Sequence, residues 1–385
     1  MEQDNLIRPC PVGAPAEQAP FRLPRWGALV AVAVVLLAGT LALPPGGIAQ
    51  QIPSGVGWHP IPNTKLRSVC PPTGFGGSTY DFRYHCHGVT DSWNSAVMDT
   101  RRNRLVIWGG GHNDYLGNEL YALDLGSLSI KRLTDPGLPV TPSTCPETVA
   151  GGTQPNSRHT YDGLAYIEHT DTMFAFGGSL ASCGSFSTTT WMYSFETEKW
   201  ERRKPAGPIP RPDPGVVSAY DPNTKKVLVH DLENLYAYDP ATDRYERLSG
   251  GMEIDYHMTA VLDPVRRKLL LIGAGQAYVY DMSPGSWHMR RSLRTTGGDP
   301  IVKSLYPGMA YDPDRDRIVA WNGGNTVYSL NLETRVWTPI TYPGGPGPAH
   351  ENGTYRRWSY SRASGVFVVV NSVDSDAYAL RLPLP

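Results

Sequence analysis

The sequence predicts an all-β chain folded as a six-bladed β-propeller, and three observations lead there. The first is composition: 40 glycines and 35 prolines in 385 residues, with only 18% charged residues, where an ordinary globular chain has about a quarter. Such punctuation suits many short strands joined by tight turns and excludes a coiled coil or helical bundle. The 21 tyrosines and 10 tryptophans agree, because flat rings pack well on a pleated surface. The second is an internal repeat of fixed spacing, and the third is a segment near the amino terminus that supplies the one strand the last repeat lacks.

Each repeat reads as an apolar strand, a tight turn and a second apolar strand. Turn entries fall at Asp99, Ile167, Asp221, Asp263, Asp312 and Ser361, and nine residues beyond each lies the end of the second strand, at Trp108, Phe176, His230, Ile272, Trp321 and Val370. Third strands centre on Tyr121, Trp191, Tyr236, Tyr278, Tyr328 and Tyr378, with fourth-strand anchors nine residues on at Ile130, Trp200, Tyr245, Trp287 and Trp337. A sixth anchor would fall at position 387, past the last residue. Trp58-His59-Pro60-Ile61 reads like Trp337-Thr338-Pro339-Ile340, so the amino-terminal strand completes the sixth sheet and closes the ring. A closed ring leaves only short, protected edges.

The propeller then occupies 51–385 as a single domain, and residues 1–50 read as an export address. Arg22 and Arg25 precede a 17-residue apolar run from Gly27 to Leu43, Pro44 and Pro45 end it, and Gly47-Ile48-Ala49 offers small residues to signal peptidase. The segment is either a cleaved signal peptide or a signal anchor that tethers the domain through residues 27–43. In both cases the positive flank stays inside and the remainder is exported, to the periplasm or beyond the cell. Cysteine usage agrees. Apart from Cys10, the chain has Cys70, Cys86, Cys145 and Cys183, an even set suited to an oxidising compartment. Their places on the loops favour Cys70–Cys86 and Cys145–Cys183. A formal net charge of −1 with no basic run lacks the footprint of a nucleic-acid binder.

Loop lengths indicate where chemistry belongs. Turns from first to second and from third to fourth strands share one face of a propeller, and here they are short and uniform. The other face takes all the variation: 35 and 31 residues separate fourth-strand anchor from next inner-strand start in blades 1 and 2, against 12 to 19 elsewhere. Loops longer than the fold needs tend to be functional. Inner-strand starts on that face are Trp93, Tyr161, Gly215, His257, Tyr306 and Tyr355, five rings in six positions, with Asp91, His159, Asp213 and Asp255 among the residues two places earlier. An aromatic collar under polar groups suits sugar rings, which stack on one side and hydrogen-bond at their hydroxyls. His85, His87 and His112 fall on the same face. His85 and His87 flank Cys86 and are a candidate site for a divalent zinc, calcium or copper ion, with no cofactor otherwise assigned.

Gly109-Gly110-Gly111, Gly177-Gly178 and Gly323-Gly324 directly after second strands, followed by a third-strand aromatic and a fourth-strand Trp, resemble the kelch repeat and the central domain of galactose-oxidase-like proteins over residues 52 to 385. The third repeat departs with Asp231-Leu232 and the sixth with Asn371-Ser372. Tyr256-His257 is similar to the copper-ligand pair of those oxidases, which would imply a radical copper site that oxidises an alcohol. The chain offers no carboxy-terminal domain for their further His and no spare Cys for their Tyr–Cys crosslink.

Propeller polysaccharide lyases supply a chemistry that fits this face better. Removing the proton alpha to a uronic-acid carboxylate needs a base, a donor for the developing charge and an acid for the departing oxygen. Tyr115, Tyr161 and Tyr256 with His112, His159 and His257 are the candidate acids and bases, Arg158, Arg356 and Arg357 the carboxylate clamp, and Trp93, Asn113, Asp114, Tyr306 and Tyr355 further contacts to an anionic polysaccharide or oligosaccharide. The alternatives are a non-catalytic kelch platform for a glycan or envelope protein, and a sugar mutarotase or epimerase.

Overall fold

The computed structural model describes residues 51–140 and 143–384. The signal or anchor segment at 1–50 lies outside the described residues. Six four-stranded antiparallel sheets succeed one another around an axis. Blade 1 runs Ser95–Asp99, Arg104–Trp108, Tyr121–Asp124 and Ser129–Arg132; blade 2, Leu164–Ile167, Thr172–Phe176, Thr190–Ser194 and Lys199–Arg202; blade 3, Val217–Asp221, Lys226–His230, Leu235–Asp239 and Arg244–Ser249. Blade 4 runs Thr259–Asp263, Lys268–Gly273, Gln276–Asp281 and Arg290–Ser292, and blade 5, Gly308–Asp312, Arg317–Trp321, Thr326–Asn331 and Val336–Thr341. Blade 6 takes Trp358–Ser361, Val366–Val369 and Ala377–Arg381, and its outer strand is Gly57–Ile61.

The constant spacing has a local cause. In every blade the turn-entry residue pairs with the residue five places on, from Asp99 with Arg104 to Ser361 with Val366. The entry Asp accepts hydrogen bonds from the turn: Asp263 Oδ1 from the N–H of Val265 (3.0 Å) and Arg266 (2.9 Å), Asp312 Oδ1 from that of Asp314 (3.0 Å). Four places past each entry the backbone turns left-handed, at Asn103, Asp171, Lys225, Arg267, Asp316 and Gly365, with φ between 49° and 63°. A capped turn that must pass through that conformation has one length, and so the hairpins repeat.

Ring closure also follows from the residues. Pro60 stands opposite Tyr378 as Pro339 stands opposite Tyr328, and both prolines lie on outermost strands, where a missing N–H breaks no ladder. Trp58 packs against Trp321 (centroids 6.1 Å apart) and Trp358 (5.8 Å), and its indole N–H donates to the Asn325 carbonyl (3.2 Å). Buried apolar side chains fill the seams between blades, as where Trp108 of blade 1 meets Trp191 and Tyr193 of blade 2.

Two features differ from expectation. Trp287 is not a strand anchor: the fourth strand of blade 4 starts at Arg290, Tyr278 pairs with Ser292, and the Trp287 ring is 87% exposed in a turn three residues longer than its counterparts. The short-turn face is not featureless either. The axial channel opens there as a cavity of about 230 Å³ ringed by Tyr166, Tyr220, Tyr311 and Tyr360, with Arg356 lining it.

Candidate functional site

The long loops gather above blades 1 and 2 and are braced by the two expected disulfides. Cys70 bonds Cys86 within the segment entering blade 1, and Cys145, entering blade 2, bonds Cys183 on that blade's second-to-third-strand loop. All four described cysteines are thereby in disulfides, as an oxidising, exported environment allows. The second bridge reaches the site. Gly184, beside Cys183, has φ +71° and lies so close to the His112 ring that a Cβ there would sit 2.4 Å from Cδ2, and the Ser182 N–H donates to the His112 carbonyl (2.6 Å). Replacing Cys145 and Cys183 by Ser is expected to cost about 2–4 kcal/mol of stability and to free the His112 loop, read by chemical denaturation and by faster amide exchange confined to residues near 112 and 183.

The aromatic collar forms as expected. Tyr161, Tyr306 and Tyr355 pack as one buried cluster with Trp93 against it, and the Tyr306 and Tyr355 centroids are 5.2 Å apart. All three tyrosines are left-handed, with φ of 45°, 52° and 48°, a conformation rare for bulky side chains and kept where the surroundings over-determine it. Cross-blade hydrogen bonds do so: the Tyr161 N–H donates to the Trp93 carbonyl (2.8 Å) and the Tyr306 N–H to the His257 carbonyl (2.8 Å). Gly215 takes the same left-handed place in blade 3, where a Cβ would meet the Tyr256 backbone at 2.4 Å. Burial, with Tyr256 and Asp114 adding, pushes the Tyr161 phenol up to about 12. Burial also raises that of Tyr306, although Trp93 hydrogen-bonds to it.

Three carboxylate–imidazole groups stand around this collar. His159 Nε2 lies 2.6 Å from Asp114 Oδ2, with its ring 5.1 Å from Trp93 and 5.9 Å from His112. Partial burial alone would raise the Asp114 carboxyl, but hydrogen bonds from His159 and Ser92 and the nearby His112 hold it below the usual range. His257 Nδ1 lies 2.5 Å from Asp255 Oδ1, and its ring is 4.9 Å from Tyr306 and beside the half-exposed Tyr256. The third group was missed in the sequence. Asp91 sits between His87 Nδ1 (3.2 Å) and His350 Nε2 (3.1 Å), and burial, opposed by Asp91 and reinforced by Arg357, lowers the His350 pKa. A carboxylate on one ring nitrogen fixes the tautomer and leaves the other to act.

Other candidate residues are placed elsewhere. Tyr115 is fully buried and donates its hydroxyl to Glu119 Oε1, as Tyr121 does to the same oxygen; burial keeps both phenols protonated and raises Glu119 despite these bonds. Arg158 is buried, bonding the carbonyls of Gly177 (3.1 Å) and Asn156 (3.1 Å), and Arg357 bonds those of Asn94 (3.2 Å), Val370 (2.9 Å) and Gly353. Desolvation brings both guanidinium groups down to about 10. Arg356 spans the axis to Asp162, Nε to Oδ1 3.1 Å, and to the Leu164 carbonyl (2.9 Å). These three arginines are staples of the ring. His112 and Asn113 are exposed at the rim. His85 stacks on Tyr80, centroids 5.0 Å apart, with its ring 6.4 Å from His87, and among the described residues no three His, Cys, Asp or Glu side chains gather as a metal-ligand set.

No protein-family model matches the chain, and no curated protein is similar to it. Its functional reading therefore comes from this face.

Proposed function

We propose that this propeller, of kelch or galactose-oxidase central-domain type, meets a carbohydrate on its long-loop face and transfers protons there. The observation that carries this reading is the pairing of two carboxylate-oriented imidazoles, Asp114–His159 and Asp255–His257, around one collar of Trp93, Tyr161, Tyr256 and Tyr306. Rings give a sugar its stacking surface, the polar rim gives its hydroxyls partners, and an oriented imidazole beside a tyrosine hydroxyl is a base and acid at close range. Among carbohydrate reactions β-elimination from a uronic-acid glycan makes the fullest use of this set: an imidazole takes the proton alpha to the carboxylate, and a tyrosine returns one to the departing glycosidic oxygen. With Arg158, Arg356 and Arg357 committed to the ring, His112 and Asn113 at the rim are the donors left to meet the substrate carboxylate.

A non-catalytic glycan platform is the second reading, favoured by those same buried arginines, since a pocket without a fixed cation stabilises an enolate poorly. Incubation with a panel of uronic-acid polymers separates the two. Elimination produces an unsaturated sugar end with new ultraviolet absorbance; polymers that bind without producing it establish the platform, and a panel that neither binds nor reacts removes the carbohydrate reading.

A further inference from the structure

The short-turn mouth of the axial channel is a chamber separate from the collar: it holds about 230 Å³, and among the described residues none of the collar rings borders it. Its room comes from small side chains two places before the turn entries, Ala219, Ala310 and Ser359, where blades 1 and 4 have Val97 and Val261. Four tyrosines ring it, and each hydroxyl is already engaged at a turn: Tyr166 with Asp171 (2.9 Å), Tyr311 with Asp316 (2.8 Å), Tyr360 with Asp314 (2.6 Å) and Tyr220 with His169 (3.0 Å). What these rings offer the axis is therefore apolar, and Met98, Leu262 and Met309 continue the wall.

Among the residues lining this chamber only Arg356 is charged, and its bonding is incomplete. Nη1 donates one hydrogen to the Leu164 carbonyl (2.9 Å), while Nη2 reaches Asp162 Oδ2 and the Ala260 carbonyl only at 3.4 Å. Asp162 Oδ1, fully buried and 3.1 Å from Nε, accepts no aligned hydrogen bond. Burial pushes the Asp162 carboxyl up to about 7, so near neutral pH it counters the guanidinium only in part, and a guanidinium keeps its charge throughout. An underbonded cation in an apolar chamber open to solvent suits an anionic head on an apolar body. The volume lies below the range of about 300–1,000 Å³ typical of drug-sized ligands, so that body is small.

We propose that this mouth binds a small monocarboxylate with an aromatic or aliphatic body, its carboxylate on Arg356 and its body among Tyr166, Tyr220, Tyr311 and Tyr360. Entry is through an adjoining hollow of about 560 Å³ that shares Met98, Tyr311 and Tyr360 with the chamber. The charged groups of that hollow are one of each sign, Glu168 held by Thr100 (3.1 Å) and Arg362 by Asp314 (3.4 Å), so the entrance sets no net charge against an anion. The site is independent of the chemistry assigned to the collar.

Calorimetric titration of the full chain with benzoate, phenylacetate and hexanoate, and with benzamide as the uncharged counterpart of benzoate, tests this. The acids are expected to saturate one site per chain, with benzamide about tenfold weaker than benzoate, the loss of a hydrogen bond to a charged group. Asp162→Asn with Arg356→Met removes both charges together and should abolish saturation. Met98→Trp leaves the ion pair in place, narrows the entrance from a half-buried position and should weaken the acids about as much, with the unfolding curve unchanged. The proposal is overturned if no acid saturates at millimolar concentration, or if benzamide binds as well as benzoate. Binding that ignores Met98→Trp overturns it too, and its loss in His257→Ala would place the acid at the collar instead.

Discussion

Asp162→Ala should cost about 3–5 kcal/mol of stability, the loss typical of breaking a buried ion pair from one side. Asp162 is fully buried next to the axis, accepts a hydrogen bond from the Ala260 N–H of blade 4 (2.9 Å) and faces Arg356 of the segment entering blade 6. One carboxylate in blade 2 thus ties three blades across the ring. Truncating it leaves the guanidinium and the Ala260 N–H without that acceptor, whereas Asp162→Asn with Arg356→Met removes both charges and should recover most of the loss. Urea unfolding of the three proteins measures this. A single variant within 1 kcal/mol of wild type would mean that the pair does not hold the ring.

The same residue gives stability a pH dependence of definite sign. Burial outweighs Arg356 and the Ala260 N–H and pushes the Asp162 carboxyl up to about 7, while in the unfolded chain it titrates near ~3.9. Across that window the native state binds the extra proton. Its contribution is therefore greatest below about pH 4 and is lost as pH rises through 7, by roughly 4 kcal/mol in all, and Asp162→Asn should abolish it.

The fold was legible because its spacing is set by chemistry within a few residues. In four blades a turn-entry Asp caps its own turn, in all six a left-handed residue stands four places past the entry, and five residues of sequence therefore carry the device. Trp287 shows where such arithmetic fails: an insertion placed another ring at the expected offset, so the pattern persisted while the strand moved to Arg290. The collar was legible for the same local reason, since inner-strand starts lie at fixed distance from turn entries. The left-handed backbone of its tyrosines was not, because cross-blade bonds impose it. Nor was the role of the arginines. Arg158 and Arg357 carry charge suited to a carboxylate, but carbonyls of the long loops need donors when buried, and burial is a property of the assembled ring. His350 stayed hidden because its partner Asp91 is met only after blade 6 closes on blade 1.

His159→Ala and His257→Ala should each lower turnover of a responsive saccharide by about 10²–10⁴-fold, the range that positioned acid–base groups supply. Asp114→Asn and Asp255→Asn test positioning: each leaves the imidazole in place but removes the ionised acceptor that sets its tautomer, so kcat should fall more than KM changes. Because Asp114 is held as a carboxylate, its effect should persist across neutral pH. His159 is only 3% exposed, so unfolding curves must accompany the kinetics, and His257, more exposed, serves as the cleaner probe. If both imidazoles act on one substrate, the double variant should lose little beyond the worse single one, since groups that act as a unit are not additive. Turnover that survives both substitutions in folded protein would remove proton transfer from this face and leave the collar as a surface for binding alone.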